Sequence, residues 1–271
     1  MPELPEVETT RRGIEPHILD QTLRDIVIRQ RALRWPISRQ LAQKARNQKI
    51  QSVDRRGKYL LLGLSNGTII IHLGMSGSLR ICNADSPVDK HDHVDFAFDK
   101  NLILRLRDPR KFGAVLWSAD DPEKHKLLSS LGPEPLLDDF NAAYLYECTR
   151  KRSASIKSVI MNSHIVVGVG NIYACESLFL ACINPKRKAG SLSQARCEKL
   201  VAAIKRVLTE SITQGGTTLR DFIQENGQPG YFAQKLLVYG KAGEPCSKCG
   251  RPIRQITQQQ RSTFYCTRCQ K

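Results

Sequence analysis

The sequence has no long apolar run and few acidic residues. A helix that crosses a bilayer needs roughly 18 or more apolar residues in succession, and no segment approaches that length. The first residues, MPELPEVET, also lack the apolar region of a secretory signal peptide. We therefore expect a cytoplasmic protein that does not bind a membrane. Internal repeats and low-complexity tracts are absent, and 271 residues suit two domains of ordinary size.

Basic side chains outnumber acidic ones, with 42 Lys and Arg against 26 Asp and Glu, which gives a net charge of +16. A balance of this kind favours a polyanionic partner, most often nucleic acid, although a soluble protein can be basic without one.

The nine cysteines are an odd number in a chain without a signal peptide. They therefore argue against a disulfide framework.

The first part of the chain predicts a β-sandwich, because short segments of strand character alternate with turn residues. Ser65-Asn66-Gly67 separates two of these segments and predicts a hairpin. A short helix is expected near 37–47, and an N-terminal helix that begins at Pro5 and ends at Gly13. The predicted strands are KYLLLGL (58–64), GTIIIHL (67–73), HVDFAFD (93–99), LILRLRD (102–108) and FGAVLWS (112–118).

The pattern changes after a proline-rich and acidic segment at 119–140, which we interpret as a connector between domains. Beyond it the apolar residues recur at helical spacing. The predicted helices lie in FNAAYLYECT (140–149), SASIKSVIMN (153–162), NIYACESLFLAC (171–182) and SQARCEKLVAAIKRVLTESI (193–212).

Four cysteines near the C-terminus form two CxxC pairs, Cys246 with Cys249 and Cys266 with Cys269, separated by sixteen residues. Thiolate pairs at this spacing converge on one tetrahedral ion and indicate zinc. Since four protein ligands leave no open position, the zinc is expected to be structural. The other five cysteines lack such spacing and are interpreted as small buried residues.

Three glycine-rich segments are weaker signals, because each could be a plain turn. VVGVGNIYA (166–174) leads into a helix, where backbone N–H groups and Asn171 could hold a phosphate. DPRKFG (108–113) places Arg110 two residues from Phe112, a pair that could fill a gap in a base stack. HLGMSGS (72–78) presents Met75 between two glycines.

Pro2 precedes the predicted N-terminal helix, and removal of Met1 would expose a prolyl amine. An α-amino group titrates near pH ~8, so a useful fraction is neutral and nucleophilic at physiological pH. Its attack on an aldehyde carbon gives an iminium, which is an electron sink. Glu3 could act as a general acid beside it. Taken alone, these two residues fit a frayed N-terminus better than a catalytic site.

Taken together, the motifs resemble those of bacterial formamidopyrimidine-DNA glycosylases, repair enzymes that remove 8-oxoguanine and ring-opened purines. The resemblance runs over essentially the whole chain and includes PELPEVET, RRGKYL, HLGMSGSLR, KHDHVD, DPRKFGA, LGPEPL, GVGNIYACESLF, QGGTTLRDF, GYF and QRSTFYCTRCQ. It implies a two-domain α+β protein: an N-terminal β-sandwich with flanking helices, and a helix–two-turn–helix domain followed by a four-cysteine zinc-finger hairpin. The implied boundaries are 1–130, 131–235 and 236–271.

The resemblance also implies a role for individual residues. Pro2 matches the nucleophile, Glu3 the proton donor, Lys58 the lysine of β-elimination and Arg261 the arginine of δ-elimination. Damaged double-stranded DNA would bind between the domains of a monomer, with the lesion base flipped out. The DNA contacts implied by position are His91, Arg110, Arg152 and Asn171, and the residues that fill the vacated space are Met75, Arg110 and Phe112.

Two features of the match are less specific. Lys111 stands where arginine is more common in the family, and Thr217–Phe222 corresponds to a variable loop that closes over the flipped base.

Two alternative functions are an endonuclease VIII-like glycosylase for oxidised pyrimidines and a zinc-bearing DNA-binding protein without catalysis. Leu4 and the Met75, Arg110, Phe112 set favour the purine branch over the first. Pro2, Glu3, Lys58 and Arg261 argue against the second.

Overall fold

The computed structural model describes residues 2–215 and 236–271. The chain divides into two compact units, whose described residues lie mainly in 2–130 and in 131–214 with 236–271. The division at Ser130 falls within the predicted connector. Because the second unit contains both the helices and the C-terminal hairpin, the assignment of three domains stays a prediction. Among the described residues, no helix has the length and apolar character needed to cross a membrane.

The first unit contains two antiparallel sheets. The strands are β1 (Thr22–Ile28), β2 (Gln48–Lys49), β3 (Ser52–Arg56), β4 (Tyr59–Leu64), β5 (Gly67–His72), β6 (Ser78–Asn83), β7 (Asp92–Phe98), β8 (Leu102–Arg107) and β9 (Ala114–Ser118). One sheet has the strand order β2-β1-β7-β8-β6 and the other β3-β4-β5-β9. The five strands predicted from sequence are confirmed as β4, β5, β7, β8 and β9.

Alternate residues of these strands build one apolar core. Leu60 and Ile71 from one sheet and Phe96 and Leu104 from the other are completely buried in it. A fully buried side chain of this size contributes about 1.5–3 kcal/mol to folding. The shared core confirms the predicted β-sandwich, since each sheet directs one face inward.

Helix α1 (Leu4–Ile18) is longer than predicted, and the expected end at Gly13 is wrong. Ile14 and Ile18 are buried in the sandwich core, so tertiary packing carries the helix past the glycine and past Pro16. The predicted helix at 37–47 is confirmed only as a short helix, α2 (Leu41–Ala45).

The second unit begins with four helices, α3 (Ala142–Thr149), α4 (Ile156–Ile160), α5 (Asn171–Leu180) and α6 (Gln194–Thr213). All four lie within predicted helical segments, to within a residue at the end of α6. The side chains of Asn141, Ser155 and Ser193 cap α3, α4 and α6 by accepting a backbone hydrogen bond. The helices share a core that includes Tyr173 and Leu208.

A hairpin follows, formed by β10 (Arg254–Gln258) and β11 (Arg261–Tyr265). Its turn residues, Gln259 and Gln260, both have positive φ, as a tight two-residue hairpin turn requires. Phe264 of β11 packs with Phe179 of α5 in a small core that also contains Cys246 and Cys266. This core attaches the cysteine-bearing end of the chain to α5.

Candidate functional site

Pro2 and Glu3 lie at the beginning of α1, where the sequence predicted catalytic residues. Glu3 is only 2% exposed and forms a capping box with Glu6. The Glu6 carboxylate accepts a hydrogen bond from the Glu3 amide at 2.8 Å. The positive end of the helix dipole favours carboxylates in this place. Pro2 is therefore followed directly by a buried carboxyl group on an ordered helix start.

An ion-pair network attaches α1 to the neighbouring strand. The Glu8 carboxylate contacts Arg11 at 3.1 Å and Arg55 of β3 at 3.1 Å, and it also accepts from Arg12 at 2.8 Å. Burial alone would raise the pKa of Glu8, but the hydrogen bonds from these guanidinium groups hold it below its usual value. The network fixes the helix that carries Pro2 and Glu3 against the sandwich.

Lys58 lies in the turn between β3 and β4, directly after Gly57, which has a positive φ. The next residue, Tyr59, is paired with His72 of β5, and the two rings lie 4.8 Å apart. Burial, together with the charges of Lys58 and Arg34, lowers the pKa of His72 to about 4. Lys58 therefore directly precedes the residue that pairs with His72.

Two loop tips expose apolar side chains. Met75 is 37% exposed and Phe112 is 43% exposed, and the Arg110 guanidinium carbon lies 4.9 Å from the centre of the Phe112 ring. A side chain at Gly74 would come within 2.4 Å of the Phe112 backbone. The tips are thus in direct contact, and the structure brings together all three residues predicted to fill a gap in DNA. His91 lies beside them, since its carbonyl accepts from the Asp108 amide at 3.0 Å.

The second unit contains a buried lysine that the sequence analysis missed. Lys157 of α4 is 2% exposed, and its ammonium donates to Asn171 Oδ1 and to Thr263 Oγ1, each at 2.6 Å. Asn171 in turn donates to the Ser262 carbonyl at 2.9 Å. A buried ammonium requires such partners, and these hold Asn171 in the first turn of α5. A lone lysine within the apolar segment SASIKSVIMN was the signal available in the sequence.

Arg152 and Arg261 line one cavity of about 350 Å³ in the second unit. Arg261 is the first residue of β11, so the hairpin turn determines its place. The remaining lining residues are Ala154, Ser158, Val159, Met161, Asn162, Ile165 and Gln259. Two guanidinium-bearing side chains at one cavity favour an anionic group such as a phosphate.

The four cysteines converge as predicted. Their sulfur atoms all lie within 4.8 Å of one another, with 3.9 Å between Cys246 and Cys269 and 3.5 Å between Cys249 and Cys266. Tetrahedral zinc at about 2.3 Å from each thiolate sulfur requires separations of this size. A donor set of four thiolates fits zinc and confirms one structural zinc site.

The predicted residues thus fall into two sets. Pro2, Glu3, Lys58 and the loop tips belong to the first unit, whereas Arg152, Asn171, Arg261 and the zinc site belong to the second. The loop at Thr217–Phe222 lies outside the described residues.

Three protein-family models match the chain. Residues 1–115 match the formamidopyrimidine-DNA glycosylase N-terminal domain, and residues 131–223 match the H2TH domain of the same enzymes. Residues 243–271 match the zinc finger found in FPG and IleRS.

Individual proteins match over the full length. The formamidopyrimidine-DNA glycosylase of Saccharophagus degradans is 57% identical over 271 residues, which is 100% of both chains. A structure of Lactococcus lactis Fpg with DNA containing an abasic site has a TM-score of 0.92 at 34% identity, and covers 99% of each chain. A complex of the Lactococcus lactis protein with Fapy-dG DNA has a TM-score of 0.90 at 34% identity, over 99% of this chain and 100% of that one.

Proposed function

The chain belongs to the formamidopyrimidine-DNA glycosylase family, and from that premise we propose how its residues act on damaged DNA. It is a DNA glycosylase of base excision repair with AP lyase activity. We assign oxidised purines, 8-oxoguanine and formamidopyrimidines, as its substrates. We also place it in the bacterial cytoplasm as a monomer that acts on double-stranded DNA.

The arrangement at the start of α1 carries this proposal. With Met1 removed, the Pro2 nitrogen attacks C1′ of the damaged nucleoside. The bond from C1′ to the base breaks as the new C–N bond forms, and the departing base takes up the proton that the Pro2 amine loses. Glu3 donates a proton to the sugar ring oxygen, so that the ring opens and leaves an iminium between Pro2 and C1′. The buried carboxyl group of Glu3, fixed by the capping box, suits a proton donor that must stay beside Pro2.

Strand cleavage then follows from the iminium. Loss of a proton from C2′ sends the C–H electron pair toward the iminium nitrogen and gives an enamine. Return of these electrons forms a double bond between C2′ and C3′, restores the iminium and expels the 3′ phosphate. Lys58 assists this β-elimination, and Arg261 assists the departure of the 5′ phosphate by δ-elimination. Both are cations, so each stabilises negative charge that grows on a leaving phosphate.

The remaining contacts hold the DNA. Asn171, in the first turn of α5, Arg152 and His91 bind phosphates, helped by the positive end of the α5 dipole. Met75, Arg110 and Phe112 enter the space left by the flipped base. The exposure of Met75 and Phe112 and the contact of the Arg110 guanidinium with the Phe112 ring support this assignment, because exposed apolar side chains on neighbouring loop tips are typical of an interaction site.

Borohydride trapping tests the proposed chemistry. On duplexes with 8-oxoguanine opposite cytosine, borohydride should reduce the iminium and leave a protein–DNA adduct that maps to Pro2. A protein that retains Met1 should give no adduct, because its Pro2 nitrogen is then part of a peptide bond and is no longer a free amine. A parallel duplex with an oxidised pyrimidine distinguishes the endonuclease VIII-like alternative. An adduct on a lysine, or trapping on the pyrimidine duplex alone, would contradict the assignment.

A further inference from the structure

Asp108 is completely buried where the chain leaves β8 for the tip that carries Arg110 and Phe112. Its backbone joins this turn to the segment at the start of β7. The Asp108 amide donates to the His91 carbonyl at 3.0 Å, and its carbonyl accepts from the Lys111 amide at 3.2 Å. The same carbonyl lies 2.9 Å from His93 Nε2. A buried carboxylate at such a junction requires hydrogen-bond donors.

The side chain finds its donors in both loop tips. Asp108 Oδ1 accepts from Ser76 Oγ at 3.2 Å and from the Arg110 amide at 3.3 Å. Asp108 Oδ2 accepts from the Gly113 amide at 2.7 Å. Ser76 directly follows Met75, whereas Arg110 and Gly113 enclose Phe112. One carboxylate therefore connects the tip that carries Met75 to the tip that carries Arg110.

Close packing leaves little room for the tips to move separately. A side chain at Gly113 would come within 3.0 Å of Asp108 Oδ2 and 2.8 Å of the His72 carbonyl. Lys111 takes a positive φ, so the turn between Arg110 and Phe112 is a specific backbone conformation. The Asp108 hydrogen bonds stabilise this conformation at its two ends.

We propose that Asp108 is a positioning residue that fixes the Met75 tip and the Arg110–Phe112 tip as one body, and thereby sets how well Arg110 reads the base opposite the lesion. This rests on the proposed function. Arginine supplies only donors, and the pairing edge of cytosine offers two acceptors, whereas adenine presents a donor beside one acceptor. Such discrimination depends on where the guanidinium is held, because a misplaced donor cannot make both bonds.

The carboxylate is required because all its side-chain partners are donors. In Asp108→Asn, one oxygen becomes an NH₂ group of nearly the same shape, which then faces the amide N–H of either Arg110 or Gly113. Neither N–H can accept, so one end of the turn is lost and the Arg110–Phe112 tip shifts, whereas the Ser76 hydroxyl can accept from an NH₂ group. Ser76→Ala removes only the bond between the tips and leaves the turn intact.

The test compares excision of 8-oxoguanine opposite cytosine and opposite adenine. We expect the wild type to prefer cytosine and Arg110→Ala to lose that preference. Asp108→Asn should lower the preference for cytosine by roughly fivefold, since a donor loses its buried acceptor. Ser76→Ala should lower it less. Asp121→Asn is the matched control, because Asp121 accepts from the Glu123 amide at another turn of the same unit, and it should keep the full preference.

Two further readouts separate positioning from a general loss of structure. Cleavage of an abasic site in single-stranded DNA needs no opposite base, so Asp108→Asn should stay within about twofold of the wild type. A 2-aminopurine placed opposite a tetrahydrofuran site should show weaker fluorescence change with Asp108→Asn than with the wild type, because the tips enter the duplex less completely.

The outcomes are distinct. If Asp108→Asn keeps the full preference while Arg110→Ala loses it, the positioning role of Asp108 is wrong and the proposed function stands. If Asp108→Asn does not fold, Ser76→Ala decides: a lowered preference supports the proposal and an unchanged one overturns it. If the wild type neither excises the lesion nor forms the Pro2 adduct, the proposed function fails instead.

Discussion

His72 shows at the scale of one residue how the first unit fixes a protonation state. Its ring lies against Tyr59, and its Nδ1 accepts a hydrogen bond from the Gly74 amide at 2.9 Å. Burial first, and then the charges of Lys58 and Arg34, lower the pKa of His72 to about 4. A neutral ring with its hydrogen on Nε2 is the form that can accept at Nδ1. Protonation would therefore break the bond to Gly74 at the base of the Met75 tip.

This residue makes the stability of the first unit depend on pH. Since the pKa is lower in the folded state than its usual 6.5, the unfolded chain binds more protons between pH 6.5 and about 4. The free energy of unfolding therefore includes the full contribution of neutral His72 above that window. It decreases as the pH falls through the window, by up to about 3 kcal/mol. In His72→Asn, the amide oxygen can replace Nδ1 as the acceptor without titrating. We therefore expect the free energy of unfolding of His72→Asn to decrease less than that of the wild type as the pH is lowered.

Denaturant unfolding followed by tryptophan fluorescence measures this effect, because Trp35 and Trp117 both belong to the first unit. His17→Asn is the control, since it replaces an exposed histidine in the last turn of α1. Its curve should run parallel to that of the wild type. Identical pH dependence in His72→Asn and the wild type would refute the argument.

Buried polar residues are also where prediction from sequence reached its limit. Pro2, Glu3 and the cysteine pairs lie in local motifs, so their grouping could be inferred from spacing. Lys157 could not be recognised in this way, because its partners Asn171 and Thr263 lie 14 and 106 residues away. Nor does the sequence indicate that the Asp108 carboxylate reaches Ser76, 32 residues earlier. Such contacts depend on the completed fold.

At the scale of secondary-structure elements, local signals were sufficient for hairpins and helices. The turn at Ser65-Asn66-Gly67 identified the β4–β5 hairpin, and Ser193 identified the start of α6. The pairing of β1 with β7 joins distant segments, and nothing in the local pattern specified it. The end of α1 was misplaced for the same reason, since burial of Ile14 and Ile18 by distant residues outweighs the helix-breaking tendency of Gly13.

One carboxylate connects α5 to the segment that precedes the zinc site. Glu176 is buried, and it accepts hydrogen bonds from the amides of Leu237, Val238 and Tyr239 at 2.8 to 2.9 Å. In Glu176→Gln, an NH₂ group replaces one acceptor oxygen, so at least one buried amide loses its partner. We expect this to cost about 1–3 kcal/mol in the stability of this connection. Amide hydrogen exchange should become faster at 237–239.

Glu198→Gln provides the comparison, because Glu198 is an exposed residue of α6. It should leave exchange at 237–239 unchanged. Zinc release to a chelator should also be faster in Glu176→Gln alone, since Val238 packs in the same small core as Cys246 and Cys266. Unchanged exchange in Glu176→Gln would show that the carboxylate does not anchor this segment.

At the scale of the whole molecule, the two units have separate cores and separate parts of the proposed site. Among the residues that the structure describes, the sandwich core is built from side chains between Val7 and Val115, whereas the zinc site and Arg261 depend on the hairpin and on α5. The charge of +16 belongs to the chain as a whole and suits long-range attraction of DNA. Loss of the hairpin should therefore remove part of the function while the sandwich stays folded.

Replacement of one zinc ligand tests this separation. Cys249→Ser should release zinc, and a short hairpin with little core of its own depends on that ion for most of its folding energy. The tryptophan signal should remain that of the wild type, because both tryptophans lie in the first unit. Nicking of a lesion duplex should fall by roughly a hundredfold, because Arg261 loses its fixed place at the start of β11. Arg261→Ala should reproduce the loss of nicking with zinc still bound.

Cys182→Ser is the matched control, since Cys182 lies outside the four-cysteine cluster. Cys182 is exposed, so its interpretation as a small buried residue is wrong. This variant should retain the zinc content, the tryptophan fluorescence and the nicking activity of the wild type. Zinc content by atomic emission, fluorescence and nicking are measured on the same preparations, so that a loss of activity can be assigned to the hairpin and not to the sandwich. Full nicking by a zinc-free Cys249→Ser protein would mean that Arg261 acts without the zinc-held hairpin, and the dependence of strand cleavage on the second unit would have to be abandoned.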